Sequence, residues 1–124
     1  MSELTIENVT IDCSGDASVL AGFYARLLRR EVDPEASEYF ATVGRASGAV
    51  PVLMFIQVPD RTPGKNSVHL DLHTDDFAGE VGRAVALGAK RLDDHDEHGV
   101  VWTTLADPEG NLFDIAGNGP EISD

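Results

Sequence analysis

Cysteine occurs once in the 124 residues, at Cys13, and a lone thiol closes no internal disulfide. No second cysteine or histidine stands at finger-like spacing from it, so a zinc finger is excluded and Cys13 reads as a small buried hydrophobe. Basic residues are scarce: 9 Lys and Arg face 22 Asp and Glu, giving a formal charge of −13 and a pI near 4.4. A surface that grips phosphates needs clustered Lys and Arg to release counterions, which excludes nucleic acid as a partner. No apolar run approaches the roughly 18 to 20 residues that span a bilayer, so no membrane partner is expected. Met1-Ser2-Glu3 lacks the basic start and apolar stretch of a secretory signal, and the expected location is cytoplasmic. The glycines are scattered and none follows a strand in a phosphate-cradling pattern, so nucleotide cofactors are not expected. No serine carries a nucleophile signature, and Cys13 sits in a probable strand.

What is present is the composition of a globular chain, 42% hydrophobic and 25% charged, long enough for one ordinary domain and too short for two independent cores. Its acidity has two readings: a solvating surface, or a field that attracts cationic ligands. The stretch "ELTIENVTIDC" is rich in β-branched residues and predicts a strand. "DASVLAGFYARLLRR" predicts a helix capped by Asp16, with Val19, Leu20, Phe23, Tyr24, Leu27 and Leu28 at helical spacing and Arg26, Arg29 and Arg30 at the negative end of the dipole. Short strands are predicted at "REV", "EYFATVG" and "VPVLMFIQV", separated by turn chemistry.

The order β-α-β-β-β then repeats. "SVHLDLHT" predicts a strand, and a helix follows with caps available at Thr74, Asp75 or Asp76 and Gly88 placed to end it. Strands at "AKRLD", "GVVWTTLA" and "NLFDIA" complete the unit, with Asp107-Pro108-Glu109-Gly110 as the last turn. The fold class is therefore α+β. Since neither half could bury its sheet alone, modules of about 1–60 and 61–124 are expected to pair into one domain across the connector at 59–65.

The stretches "GFYARLLRREV", "IQVPDRTPGKNSVHLDLHTDD", "AVALGAKRL" and "LADPEGNLFDIAG" resemble those of the vicinal oxygen chelate superfamily, which includes glyoxalase I, bleomycin-resistance proteins and extradiol dioxygenases. The resemblance spans nearly the whole chain and is greatest to the short glyoxalase-like proteins. It implies paired βαβββ modules curled into a cup-shaped, partly open β-barrel with the helices outside. It also implies a divalent metal held by one residue from the first and last strand of each module. On that pattern His69 and Asp114 occupy the second module's positions, while around Asn8 and Val9 the first module offers no histidine and Gln57 is its best candidate. A lone imidazole with one carboxylate and a neutral amide is a poor set for iron, nickel, zinc or manganese. No cofactor is therefore expected, and any divalent metal would have an incomplete ligand set. His73 cannot repair it, because four residues of strand separate it from His69 by about 13 Å.

The clearest period-2 alternation places Asp71 and His73 on the face of His69, with Val68, Leu70 and Leu72 beneath the helices. If Phe113 and Ile115 face the helices, then Leu112, Asp114 and Ala116 share the opposite face. Trp102 reads as core or as a flat wall for a ligand. Phe55 shares a face with Leu53 and Gln57, and the run "DDHDEHG" at 93–99 reads as a solvated loop despite His95 and His98. The expected function is small-molecule binding of the glyoxalase/bleomycin-resistance type, without an essential metal. The ligand, which the acidity suits to be cationic, would lie near Trp102, Gln57, Phe55, Asp71 and His73. One alternative is a metal-dependent lyase, isomerase or dioxygenase using His69, Asp114 and Gln57. A second is a metal-free acid/base enzyme using His69 and Asp114. The resemblance and the short chain further suggest a homodimer.

Overall fold

The computed structural model describes residues 6–59, 69–97 and 99–118. The chain divides into two compact units, residues 1–61 and 62–124. Each is a small α+β layer, one helix on one open sheet. No helix among the described residues is long and apolar enough to cross a membrane. Most of the 59–65 connector, Val68 and His98 lie outside the described residues.

In the first unit, β1 (Asn8–Cys13) leads into α1 (Ala17–Leu28), followed by β2 (Phe40–Val43) and β3 (Val52–Gln57). Asp16 starts the helix by accepting from the Ser18 backbone N–H at 2.8 Å and the Ser18 hydroxyl at 2.6 Å. The Ser18 hydroxyl is the main reason its carboxyl stays below the ordinary value. The sheet order is β1-β3-β2, with β1 parallel and β2 antiparallel to β3. The side facing α1 carries the core: Leu20, Phe23, Tyr24 and Leu27 from the helix meet Leu53 and Phe55 from β3. Tyr24 stacks on Phe55 at 5.5 Å. Register partners share a face, so Val9, Ile11 and Cys13 lie on this side, and Asn8, Thr10, Asp12, Met54 and Ile56 lie on the other. Cys13 is fully buried.

The strand predicted at "REV" is reduced to a single bridge between Val32 and Val43. The cause is Asp33, whose buried side chain is drawn into the 44–46 loop, and Pro34, which has no N–H to extend a ladder.

In the second unit, β4 (Leu70–His73) leads into α2 (Phe77–Leu87), followed by β5 (Lys90–Glu97), β6 (Val100–Ala106) and β7 (Leu112–Asn118). Of the three candidate caps Asp76 serves, accepting from the Gly79 N–H at 3.2 Å, and Gly88 ends the helix at φ 122°. The sheet order is β4-β7-β6-β5, with β4 parallel to β7 and the rest antiparallel. Phe113, Ile115, Thr103 and Leu105 are buried on the helix side with Val81 and Ala84. Gly117 lets α2 approach this sheet: a Cβ there would lie 2.9 Å from Phe77 Cβ.

Residues 93–97, expected in a solvated loop, instead belong to β5 and pair with β6 along their length. They are solvated as the edge strand of the sheet, where charge discourages further pairing, and composition alone does not separate such an edge from a loop. On its helix-facing side Asp94 accepts from Arg91 Nε at 3.0 Å and the Thr103 hydroxyl at 2.9 Å. These bonds hold its carboxyl below the ordinary value.

Candidate functional site

The face of the second sheet turned away from α2 is ordered by register into cross-strand rows. One row runs His73, Ala116, Trp102, His95, and the next runs Asp71, Asp114, Thr104, Asp93. An aromatic row thus adjoins an acidic one. His69, just before β4, reaches into the acidic row: its Nε2 lies 3.2 Å from Asp71 Oδ1 and 3.4 Å from Asp114 Oδ2. The Thr104 hydroxyl donates to Asp114 Oδ1 at 2.7 Å, leaving Oδ2 for His69. Asp114 is the shielded member, with 18% of its side chain exposed against 42% for His69 and 71% for Asp71.

Asp114 owes its place to the turn before β7. Asp107 is buried there, and its Oδ1 accepts from the backbone N–H of Glu109 and Asn111 while Oδ2 accepts from Asn111 Nδ2. Gly110 closes the turn at φ 90°, donating to the Asp107 carbonyl at 2.8 Å. The "DPEGN" motif is therefore architectural, and it sets where β7 begins.

In the aromatic row, His95 stacks on Trp102 with ring centroids 4.7 Å apart and planes 18° apart. Trp102 is half-buried. Between it and His73 the row holds only the methyl group of Ala116. Two inter-strand spacings, about 9.5 Å, separate the flanking backbones, close to the span that a ring stacked between two others occupies.

A model of the glyoxalase-like domain matches residues 8–116. The chain belongs to this family, and with it to the vicinal oxygen chelate superfamily. No curated protein matches it in sequence. Among solved structures, a glyoxalase/bleomycin resistance protein/dioxygenase family enzyme from Burkholderia phytofirmans PsJN superposes with a TM-score of 0.77 at 18% identity, over 93% of this chain and 99% of that one. A glyoxalase-related enzyme from Fulvimarina pelagi gives 0.71 at 20% identity, over 95% and 89%. Lactoylglutathione lyase from Agrobacterium tumefaciens gives 0.66 at 15% identity, over 94% and 96%. At such identities the likeness is one of fold.

The residues of this glyoxalase-like chain do not fit a metal shared by the first and last strands of both modules. In the second unit, Asp71 pairs with Asp114 two residues after His69. The matching outward pair in the first unit is Thr10 with Met54, two residues after Asn8. A thioether and an amide oxygen thus stand where a carboxylate and an imidazole are needed, and a thioether is too soft for the divalent ions of this chemistry. Asn8 Oδ1 is buried without a hydrogen-bond partner among the described residues.

Gln57 and Phe55 lie on the helix-facing side of the first sheet. Phe55 is 0% exposed and stacks on Tyr24, and Gln57 donates from Nε2 to the Gly15 carbonyl at 2.8 Å. Among the described residues, the second unit gathers His69, Asp71 and Asp114, with ligand atoms all within 4.8 Å of one another. Asp71 as a partner of His69 was legible in the i, i+2 spacing of "HLD". Thr104 and His95 carried no signal, since only strand pairing brings them to this face.

Proposed function

We propose that this glyoxalase-like protein binds a small, flat organic cation on the outward face of its second sheet and needs no metal to do so. The observation that carries this is the adjacency of the two rows. The ring of the ligand lies over Ala116 between His73 and Trp102, and its positive group meets Asp114 and Asp71. The His69 and Thr104 contacts hold Asp114 ready, and a formal charge of −13 raises the local concentration of cations. Trp102 is the single tryptophan, so its emission reports binding directly.

The test is a fluorescence titration with N-methylpyridinium-type cations against their neutral isosteres. The cation binds more tightly, Asp114→Asn weakens it about tenfold, the scale of one partly shielded ion pair, and Trp102→Leu weakens it further. Added salt weakens wild type more than Asp114→Asn. Affinity indifferent to Asp114→Asn and Trp102→Leu alike would refute the reading.

A second reading rests on the 4.8 Å grouping of His69, Asp71 and Asp114. A divalent ion on these three groups would act as a Lewis acid in lyase, isomerase or dioxygenase chemistry. A large melting shift with manganese, nickel or zinc, lost in His69→Ala, would favour it over the first.

A further inference from the structure

The first unit contains a cavity of about 530 Å³ lined by Asp33, Pro34, Glu35, Ala36, Phe40, Ala41, Thr42, Arg45 and Ala46. Its walls are held by one buried carboxylate. Asp33 Oδ1 accepts from the Ala46 N–H at 2.8 Å, and Oδ2 accepts from the Thr42 hydroxyl at 2.6 Å and the Arg45 N–H at 2.8 Å. Its own N–H donates to the Thr42 carbonyl at 2.9 Å. Asp33 thus joins the 33–36 turn, β2 and the 44–49 loop. With three donors on its two oxygens it is occupied as a clamp and is not the group that meets a ligand.

Glu35 and Arg45 are different. Both are exposed, no ion pair joins them, and neither has a salt-bridge partner among the described residues. Glu35 holds φ 74°, a left-handed conformation that costs a non-glycine residue about 1 kcal/mol or more and persists where the surroundings impose it. Phe40 is 43% exposed on the sheet face of Ile56 and Met54, and with Pro34 and three alanines it supplies the apolar lining. The cavity lining therefore includes an exposed arginine whose charge also acts on Asp33, an exposed glutamate and an apolar wall, at a volume typical of small-molecule sites.

We infer that this cavity binds a small zwitterion of the α-amino-acid class with an apolar side chain. Its carboxylate engages Arg45, its ammonium engages Glu35 and its side chain packs on Phe40. A planar guanidinium grips a carboxylate through two parallel hydrogen bonds, which makes Arg45 the stronger anchor.

The test is isothermal titration calorimetry of the whole chain with L-phenylalanine, 3-phenylpropionate and phenethylamine. Arg45→Gln and Glu35→Gln keep the backbone N–H groups that Asp33 needs, and both positions are exposed, so folding is preserved. L-phenylalanine binds most tightly, and each substitution weakens it about tenfold or more. Phenylpropionate responds to Arg45→Gln alone, and phenethylamine to Glu35→Gln alone. Phenylpropionate binding as well as L-phenylalanine would overturn the zwitterion assignment. The inference also fails if neither L-phenylalanine nor L-leucine binds at millimolar concentration, or if binding ignores both substitutions. Loss of binding in His69→Ala instead would place the amino acid on the second sheet and overturn the assignment.

Discussion

Replacing Asp107 by alanine tests whether the turn before β7 holds the acidic row in place. The substitution leaves the main-chain bonds between Asp107 and Asn111 and between Gly110 and Asp107 intact. It deletes the acceptors for Glu109 N–H at 2.8 Å, Asn111 N–H at 2.9 Å and Asn111 Nδ2 at 2.9 Å. Hydrogen bonds to a charged group each contribute about 1.5–3 kcal/mol, but Glu109 and Asn111 are half-buried and water can take up part of the loss, so the expected total is about 2–4 kcal/mol. Asparagine retains one oxygen, which can keep both backbone donors, and should cost about 1–2 kcal/mol. Against a typical domain stability of about 5–15 kcal/mol, the alanine variant is measurably weakened but folded. The assay is urea unfolding followed by Trp102, which sits on β6 in the same unit, with the slope expected unchanged and the midpoint lowered. A loss below about 1 kcal/mol for alanine, or equal losses for alanine and asparagine, would refute the assignment of Asp107 as the anchor.

Gly117→Ala would place a Cβ 2.9 Å from Phe77 Cβ and 3.1 Å from the Thr74 carbonyl oxygen; overpacking of that kind costs about 1–3 kcal/mol and should lower the melting temperature. Burial alone would raise the Asp33 carboxyl, but the Thr42 hydroxyl, the Ala46 and Arg45 N–H groups and the Arg45 charge outweigh it and hold it below its ordinary 3.8. Its stabilising contribution is therefore present above that value and lost as pH falls through the lower folded value, so Asp33→Asn should flatten the acid limb of a stability profile measured from about pH 5 to pH 2. We further expect a homodimer, with light scattering giving twice the 13.3 kDa of one chain at micromolar concentration; a concentration-independent monomer mass would contradict this.

The sequence by itself determined the punctuation and the order of elements. Asp16 and Gly88 act through their own backbone neighbourhoods, and Asp107 caps a turn four residues long, so their roles follow from local chemistry. Alternation in "LDLH" and "LFDI" likewise assigned Asp71, His73 and Asp114 to one face, because one side of each strand is apolar. In "VLMFIQ" both faces are apolar, so no period distinguishes them. Only the packing of Phe55 on Tyr24 decided that Gln57 lies beneath α1 while Met54 and Asn8 share the opposite face. Nor does sequence specify pairing: the row that sets Trp102 beside Ala116 and His95, and the bond from Thr104 to Asp114, depend on register between strands. The second unit's candidate site is a property of that register, since residues seven to more than forty positions apart in the chain meet side by side only when the strands pair.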